Sequence, residues 1–147
     1  MYAHGMMSPV VALIAWSLVM LIWLYATRIP AMGQAKIKPG NVTREQLDNA
    51  LPKWATNPAH NYNHLMEQPT IFYAVCFALQ FLHDGQPPTF VIGLAWLYVA
   101  LRVVHSLLQS TLNIIPLRFL IFNIASIVLG VMVWNAAVAC GMIAWSF

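Results

Sequence analysis

Four long apolar runs, separated by polar stretches rich in proline, glycine and charge, divide the chain. They predict membrane-spanning helices over residues 8–27, 61–82, 88–111 and 116–145, each at or above the ~20 residues needed to cross the hydrocarbon of a bilayer. The stretch His83-Asp84-Gly85-Gln86-Pro87-Pro88 punctuates the second and third runs as a tight interhelical break. Pro69 falls inside the second run, where it predicts a kink rather than an end. Residues 28–60 contain Pro30, Gly33, Pro39, Gly40 and Pro52 and are expected to form an irregular connection. Within it, Thr43 and Gln46 stand at capping-box spacing and predict one short helix over residues 44–50. The first run lacks a basic stretch before it and a small-residue cleavage site after it, so it is expected to be a retained span and not a signal peptide.

Composition agrees with the pattern. Hydrophobic residues make up 61% of the 147 and charged residues only 7%, far below the quarter or so usual in a water-soluble domain. The fold class expected is an all-α integral membrane protein, a four-helix transmembrane bundle forming a single domain over residues 1–147 with the lipid bilayer as its partner. The net charge of +3 does not indicate nucleic-acid binding, because five of the seven basic residues (Arg28, Lys36, Lys38, Arg44 and Lys53) crowd into one connection. That clustering is a topology signal. Four spans put the 28–60 connection and Arg118 on one side, cytoplasmic by the positive-inside rule, and both termini on the periplasmic or lumenal side. Cys76 and Cys140 lie in apolar runs and make no disulfide framework.

An ionisable side chain inside a span costs on the order of 2.5 kcal/mol or more to insert at mid-bilayer, so each is a functional candidate. The candidates are His64, Glu67, Arg102 and His105. On the second helix His60, His64 and Glu67 repeat at helical spacing along one face, with Asn63 beside them; on the third, Arg102, His105 and Gln109 do the same. Glu67 and Arg102 sit at comparable depths, about 9 and 14 Å inside their helix ends, which predicts an ion pair or a shared hydrogen-bond network between the two helices. Such a pair would serve either to fix helix register or to hold an anionic ligand. His60, His64 and Glu67 could be taken for metal ligands, but a metal site draws ligands from more than one element, and none is expected here. Aromatic residues near span ends (Trp54, Tyr62, Trp145 and Phe147) fit interfacial belts. On the fourth helix Ser126, Gly130, Ala137 and Gly141 form a small-residue stripe suited to close helix packing, within or between subunits.

The segments NYNHLMEQPTIFYA on the second helix, RVVHS on the third and PLR at the start of the fourth resemble, in order and spacing, the MAPEG family (membrane-associated proteins in eicosanoid and glutathione metabolism). The resemblance covers nearly the whole chain and is closer to the family's bacterial branch than to its eicosanoid-synthesising enzymes. Glu67 matches the family's characteristic glutamate, Arg102 and His105 match its third-helix arginine and histidine, and Arg118 falls where enzymatic members have the arginine that contacts the glutathione thiol. His64 stands where asparagine is usual, Gln109 where enzymatic members commonly place tyrosine, and Asn63 where arginine is frequent.

What the resemblance implies is a homotrimer that binds glutathione between subunits, open to the cytoplasm, in the inner membrane of a bacterium. Arg118 would be the catalytic residue, and Asn63, His64, Glu67, Arg102 and His105 would bind the cofactor glutathione. The activity expected is that of a glutathione-dependent transferase or peroxidase acting on hydrophobic electrophiles. The alternative is a non-catalytic member, either a binder of lipid or other hydrophobic ligands or an accessory subunit of a larger membrane assembly, in which Glu67 and Arg102 are structural.

Overall fold

Backbone polar groups find no water in hydrocarbon, so a chain this apolar must satisfy them within its own helices. The computed structural model, which describes residues 5–38, 40 and 42–143, does so with six helices and, among the described residues, no strand. These are α1 (Met7–Gln34), α2 (Arg44–Ala50), α3 (Lys53–Glu67), α4 (Pro69–Leu82), α5 (Thr89–Ser110) and α6 (Ile115–Ala139). Four segments are long and apolar enough to span a membrane: α1, the combined α3–α4 segment, α5 and α6.

The first helix corrects the expectation of a loop beginning at residue 28. α1 passes through Pro30 and continues to Gln34, because its last turns keep an apolar face: Ala31 is buried against Leu51 and Ala55, with Met32, Ile37 and Leu47 packed around them. This small cluster beyond the main core ties the connection down, and the stretch between α1 and α3 shrinks to residues 35–52. Within it the Thr43–Gln46 capping box closes as the spacing predicts. Thr43 Oγ1 accepts from the Gln46 N–H at 3.3 Å, and the Thr43 N–H donates to Gln46 Oε1 at 2.9 Å.

The second span also begins earlier than its hydropathy predicts, at Lys53 rather than residue 61. The polar face of α3 hides it from a hydropathy reading, yet Ala55, Ala59 and Leu65 on its other face are buried. Pro69 has no N–H to offer Leu65 O, and the ladder is interrupted at Gln68 without leaving helical geometry (φ −62°, ψ −36°). At the far end α6 stops at Ala139 instead of reaching residue 145. Gly141 takes a left-handed φ of +75°, and the Gly141 and Met142 N–H groups turn back to Val138 O and Ala137 O at 3.0 Å each. Apolar residues follow this cap, which is why hydropathy did not register the end; Trp145 and Phe147 lie outside the described residues.

α6 packs chiefly on α5 and next on α4, while α1 packs chiefly on α3 and then on α5. Phe72 of α4 stacks on Tyr98 of α5 with centroids 4.5 Å apart, at the middle of a core that includes Leu13, Met20, Leu79 and Met132. Ile22, Phe81, Phe90 and Ile127 lie outside it, exposed, as side chains facing lipid or another apolar surface must.

A polar chain runs through this core. Arg102 Nε donates to Tyr98 Oη at 3.0 Å, Tyr98 donates to Gln68 Oε1 at 3.3 Å, and Gln68 Nε2 donates to Ser126 Oγ at 2.8 Å. Ser126 in turn donates to Phe122 O at 2.8 Å. The series joins α5, the α3–α4 junction and α6, while Arg102 Nη2 stays buried without a partner within the protomer. Replacing Gln68 with leucine takes the acceptor from the Tyr98 hydroxyl and one of two partners from Ser126 Oγ, and is expected to lower stability by about 1–3 kcal/mol, read as a fall in the unfolding midpoint in detergent. Glu67→Gln, one residue away but exposed, is expected to change that midpoint by less than about 1 kcal/mol.

Candidate functional site

The polar face of α3 opens at the end of the bundle that carries the long connection. His60, Asn63, His64 and Glu67 recur every three or four residues, so they form one stripe while Asn61 and Leu65 turn inward. Opposite the stripe stand Gln109 at the end of α5, Asn113 in the α5–α6 turn and Arg118 in the first turn of α6. Together with Asn57 and Arg44 they enclose a cavity of about 370 Å³ whose walls are almost wholly polar.

Each wall is held in place. His64 Nδ1 lies 3.1 Å from Glu67 Oε2, with the two side chains 40% and 67% exposed. The Arg118 guanidinium donates to Asn113 Oδ1, and Asn113 Nδ2 donates to Asn57 Oδ1 at 3.3 Å, so the α5–α6 turn is tied to α3. Asn113 adopts a left-handed φ of +51°, which asparagine tolerates better than most residues. Arg44 reaches the cavity because α2 is pinned from beneath: Asp48 Oδ1 accepts from Arg28 at 3.4 Å and Asp48 Oδ2 meets His60 Nε2 at 2.9 Å.

A second, apolar groove of about 250 Å³ adjoins the first. Ile115, Phe119, Phe122 and His105 line it together with His64 and Arg118. His64 and Arg118 are the two residues common to both spaces. His105, buried, meets the T-shaped edge of His64 at 6.3 Å between centroids, and its Nε2 lies 3.1 Å from Gln109 Oε1. A polar cavity and an apolar groove therefore meet at one imidazole and one guanidinium.

Not all the expected residues converge. Asn63, His64, Glu67 and Arg118 line the polar cavity, His105 lines only the groove, and Arg102 lines neither. Arg102 is 2% exposed and lies over the rings of Tyr98 and Phe122, 5.1 and 5.3 Å from their centroids. The expected Glu67–Arg102 ion pair is not formed, because successive helical residues point about 100° apart. Gln68, not Glu67, therefore faces the core, and the interhelical network runs through the neutral amide. Turning the amide rather than the acid inward avoids desolvating a carboxylate.

Arg44, Asn57 and Asn113 belong to the cavity but were not singled out in the sequence. Arg44 is one of several basic loop residues, and nothing in its spacing distinguishes it. Asn113 carried a readable signal, standing at a helix break just before Pro116 and Arg118.

The MAPEG family profile matches residues 6–138, nearly the whole chain. No curated protein and no solved structure matches it.

Proposed function

The chain belongs to the MAPEG family of membrane proteins, and on that premise we propose that it binds glutathione in the polar cavity and adds its thiolate to lipophilic electrophiles or peroxides held in the adjoining groove. The observation that carries this reading is the sharing of His64 and Arg118 between the two spaces. A reaction between a water-soluble peptide and a membrane-dissolved substrate needs one solvated compartment, one apolar compartment and a reacting atom at their border.

In this reading Arg44, on its pinned helix, and the asparagines receive the carboxylates and amine of the peptide, with Asn63 and Glu67 at the mouth. Arg118 holds the sulfur. A guanidinium beside a thiol favours the thiolate, which is the nucleophile. His64 donates its Nδ1 proton to Glu67 and so presents Nε2 as a base that takes the thiol proton. In the transferase reaction the S–C bond forms as the leaving group departs with its electron pair. With a peroxide, sulfur attacks the distal oxygen, the O–O bond breaks, the alkoxide takes a proton, and a second glutathione reduces the resulting sulfenate. Arg102 contributes by packing beneath the site, and His105 forms part of the groove wall.

We place the site at the contact between copies of a homotrimer, with the 28–60 connection in the cytoplasm of a bacterium and the termini across the inner membrane. Support comes from the clustered basic residues and from Gly130 of α6 and Gly141 just past its end, where an added Cβ would meet no neighbour in the protomer. Titration calorimetry of the detergent-solubilised protein with glutathione tests the reading. Saturable binding that weakens severalfold in Arg44→Ala is expected, and absence of binding at millimolar glutathione would replace the enzymatic reading by the non-catalytic one.

A further inference from the structure

We infer that the crevice bounded by α1, the start of α3 and the α5–α6 turn is a binding site for the headgroup of an anionic phospholipid, with the lipid phosphate on Lys53. The crevice measures about 560 Å³ and is lined by Trp23 of α1, Lys53 and Trp54 of α3, and Ser110 at the end of α5. Its mouth carries Leu112 and Ile115, which are 68% and 72% exposed. It touches the groove for lipophilic substrates only at Ile115 and the polar cavity only at Asn57 and Asn113, and it does not depend on any thiol chemistry.

Two observations point to an anion inside it. Lys53 makes no ion pair among the described residues, although Asp48 is only five positions away; both Asp48 oxygens are taken, by Arg28 and His60. Ser110 is 6% exposed and lines the crevice, yet its Oγ has no hydrogen-bond partner within the protomer. A buried hydroxyl left unmade is costly, and a phosphate oxygen is the acceptor that an ammonium and a hydroxyl would share.

The surroundings select a lipid over a free anion. Trp54 stands at the loop end of its span, the level at which indole rings sit among headgroups, and Trp23 of α1 lines the same crevice. The apolar Leu112 and Ile115 side chains at the mouth offer contact for acyl chains and nothing for a hydrated ion. Lys53 can reach the interface with its ammonium while its stem stays on apolar surface.

Native mass spectrometry of the delipidated protein titrated with phosphatidylglycerol, phosphatidylcholine or inorganic phosphate tests the site. Phosphatidylglycerol is expected to be retained in preference to phosphatidylcholine. Lys53→Ala should weaken its retention about fivefold, Ser110→Ala by a smaller factor, and Lys53→Arg little. Lys36→Ala, a basic residue of the same connection outside the crevice, should leave it unchanged. Equal loss in Lys36→Ala and Lys53→Ala would show a diffuse surface attraction and overturn the proposal. So would equal retention of the two lipids, or full displacement of phosphatidylglycerol by stoichiometric phosphate.

Discussion

Replacing Arg118 with alanine is expected to lower turnover of glutathione with a lipophilic electrophile about a hundredfold at pH 7, equivalent to about 2.7 kcal/mol of transition-state stabilisation. Glutathione affinity should fall much less, because Arg44, Asn57 and Asn63 still line the cavity that holds the peptide. The two effects are expected to separate because, in the proposed mechanism, the peptide is recognised along the whole cavity and the sulfur meets a cation at the border with the groove. The pH profile adds a sign. A free thiol ionises near pH 8.5, so the variant's rate should climb about tenfold per unit up to that pH as solution supplies the thiolate. The unmodified protein, if it holds thiolate at neutral pH as proposed, should show a flatter profile. Arg118→Lys should recover part of the rate, since the charge remains while the geometry changes. A variant with normal turnover, or one whose loss is independent of pH, would remove Arg118 from this role.

Arg102→Ala is expected to act on stability and not on the ligand. Its guanidinium is buried between two aromatic rings and donates to Tyr98, at the head of the chain that runs through Gln68 to Ser126. Truncation leaves a void beneath Phe122 and removes the first donor of that chain, a loss of about 3 kcal/mol or more, visible as a large fall in the unfolding midpoint in detergent. Arg102→Met, which keeps the volume and much of the ring contact, should retain more of that stability. In either variant the folded fraction should bind glutathione with unaltered affinity. A stable variant whose affinity drops tenfold would put the guanidinium on the ligand instead.

The contrast between these two arginines shows where the sequence was readable. Four spans follow from hydropathy because the cost of inserting polar backbone and charge is large and local. The α2 cap was likewise legible at Thr43 and Gln46, where a short-range hydrogen-bond pair decides the structure. Helix ends fared worse wherever a non-local contact decided them. Ala31 extends α1 by packing on Leu51 and Ala55, and the amphipathic first turns of α3 lack the apolar density that marks a span.

Within the site, helical spacing alone placed Asn63, His64 and Glu67 on one stripe. It could not tell which way the stripe faces: a rotation of one residue exchanges Glu67 for Gln68 at the core. Depth put Arg102 level with Glu67, but depth carries no azimuth. Arg44 and Asn113 lie on a helix and a turn whose approach to α3 rests on Asp48 and Asn57, contacts far apart in sequence.

In the proposed mechanism glutathione's sulfur lies as a thiolate between His64 and Arg118, where the polar cavity meets the apolar groove. The most direct test is the ultraviolet difference spectrum of the solubilised protein titrated with glutathione at pH 7. A saturable thiolate band that is lost in Arg118→Ala and retained in Arg102→Met is the result predicted. Glutathione that binds without producing the band, or a band unaffected by Arg118→Ala, would contradict it.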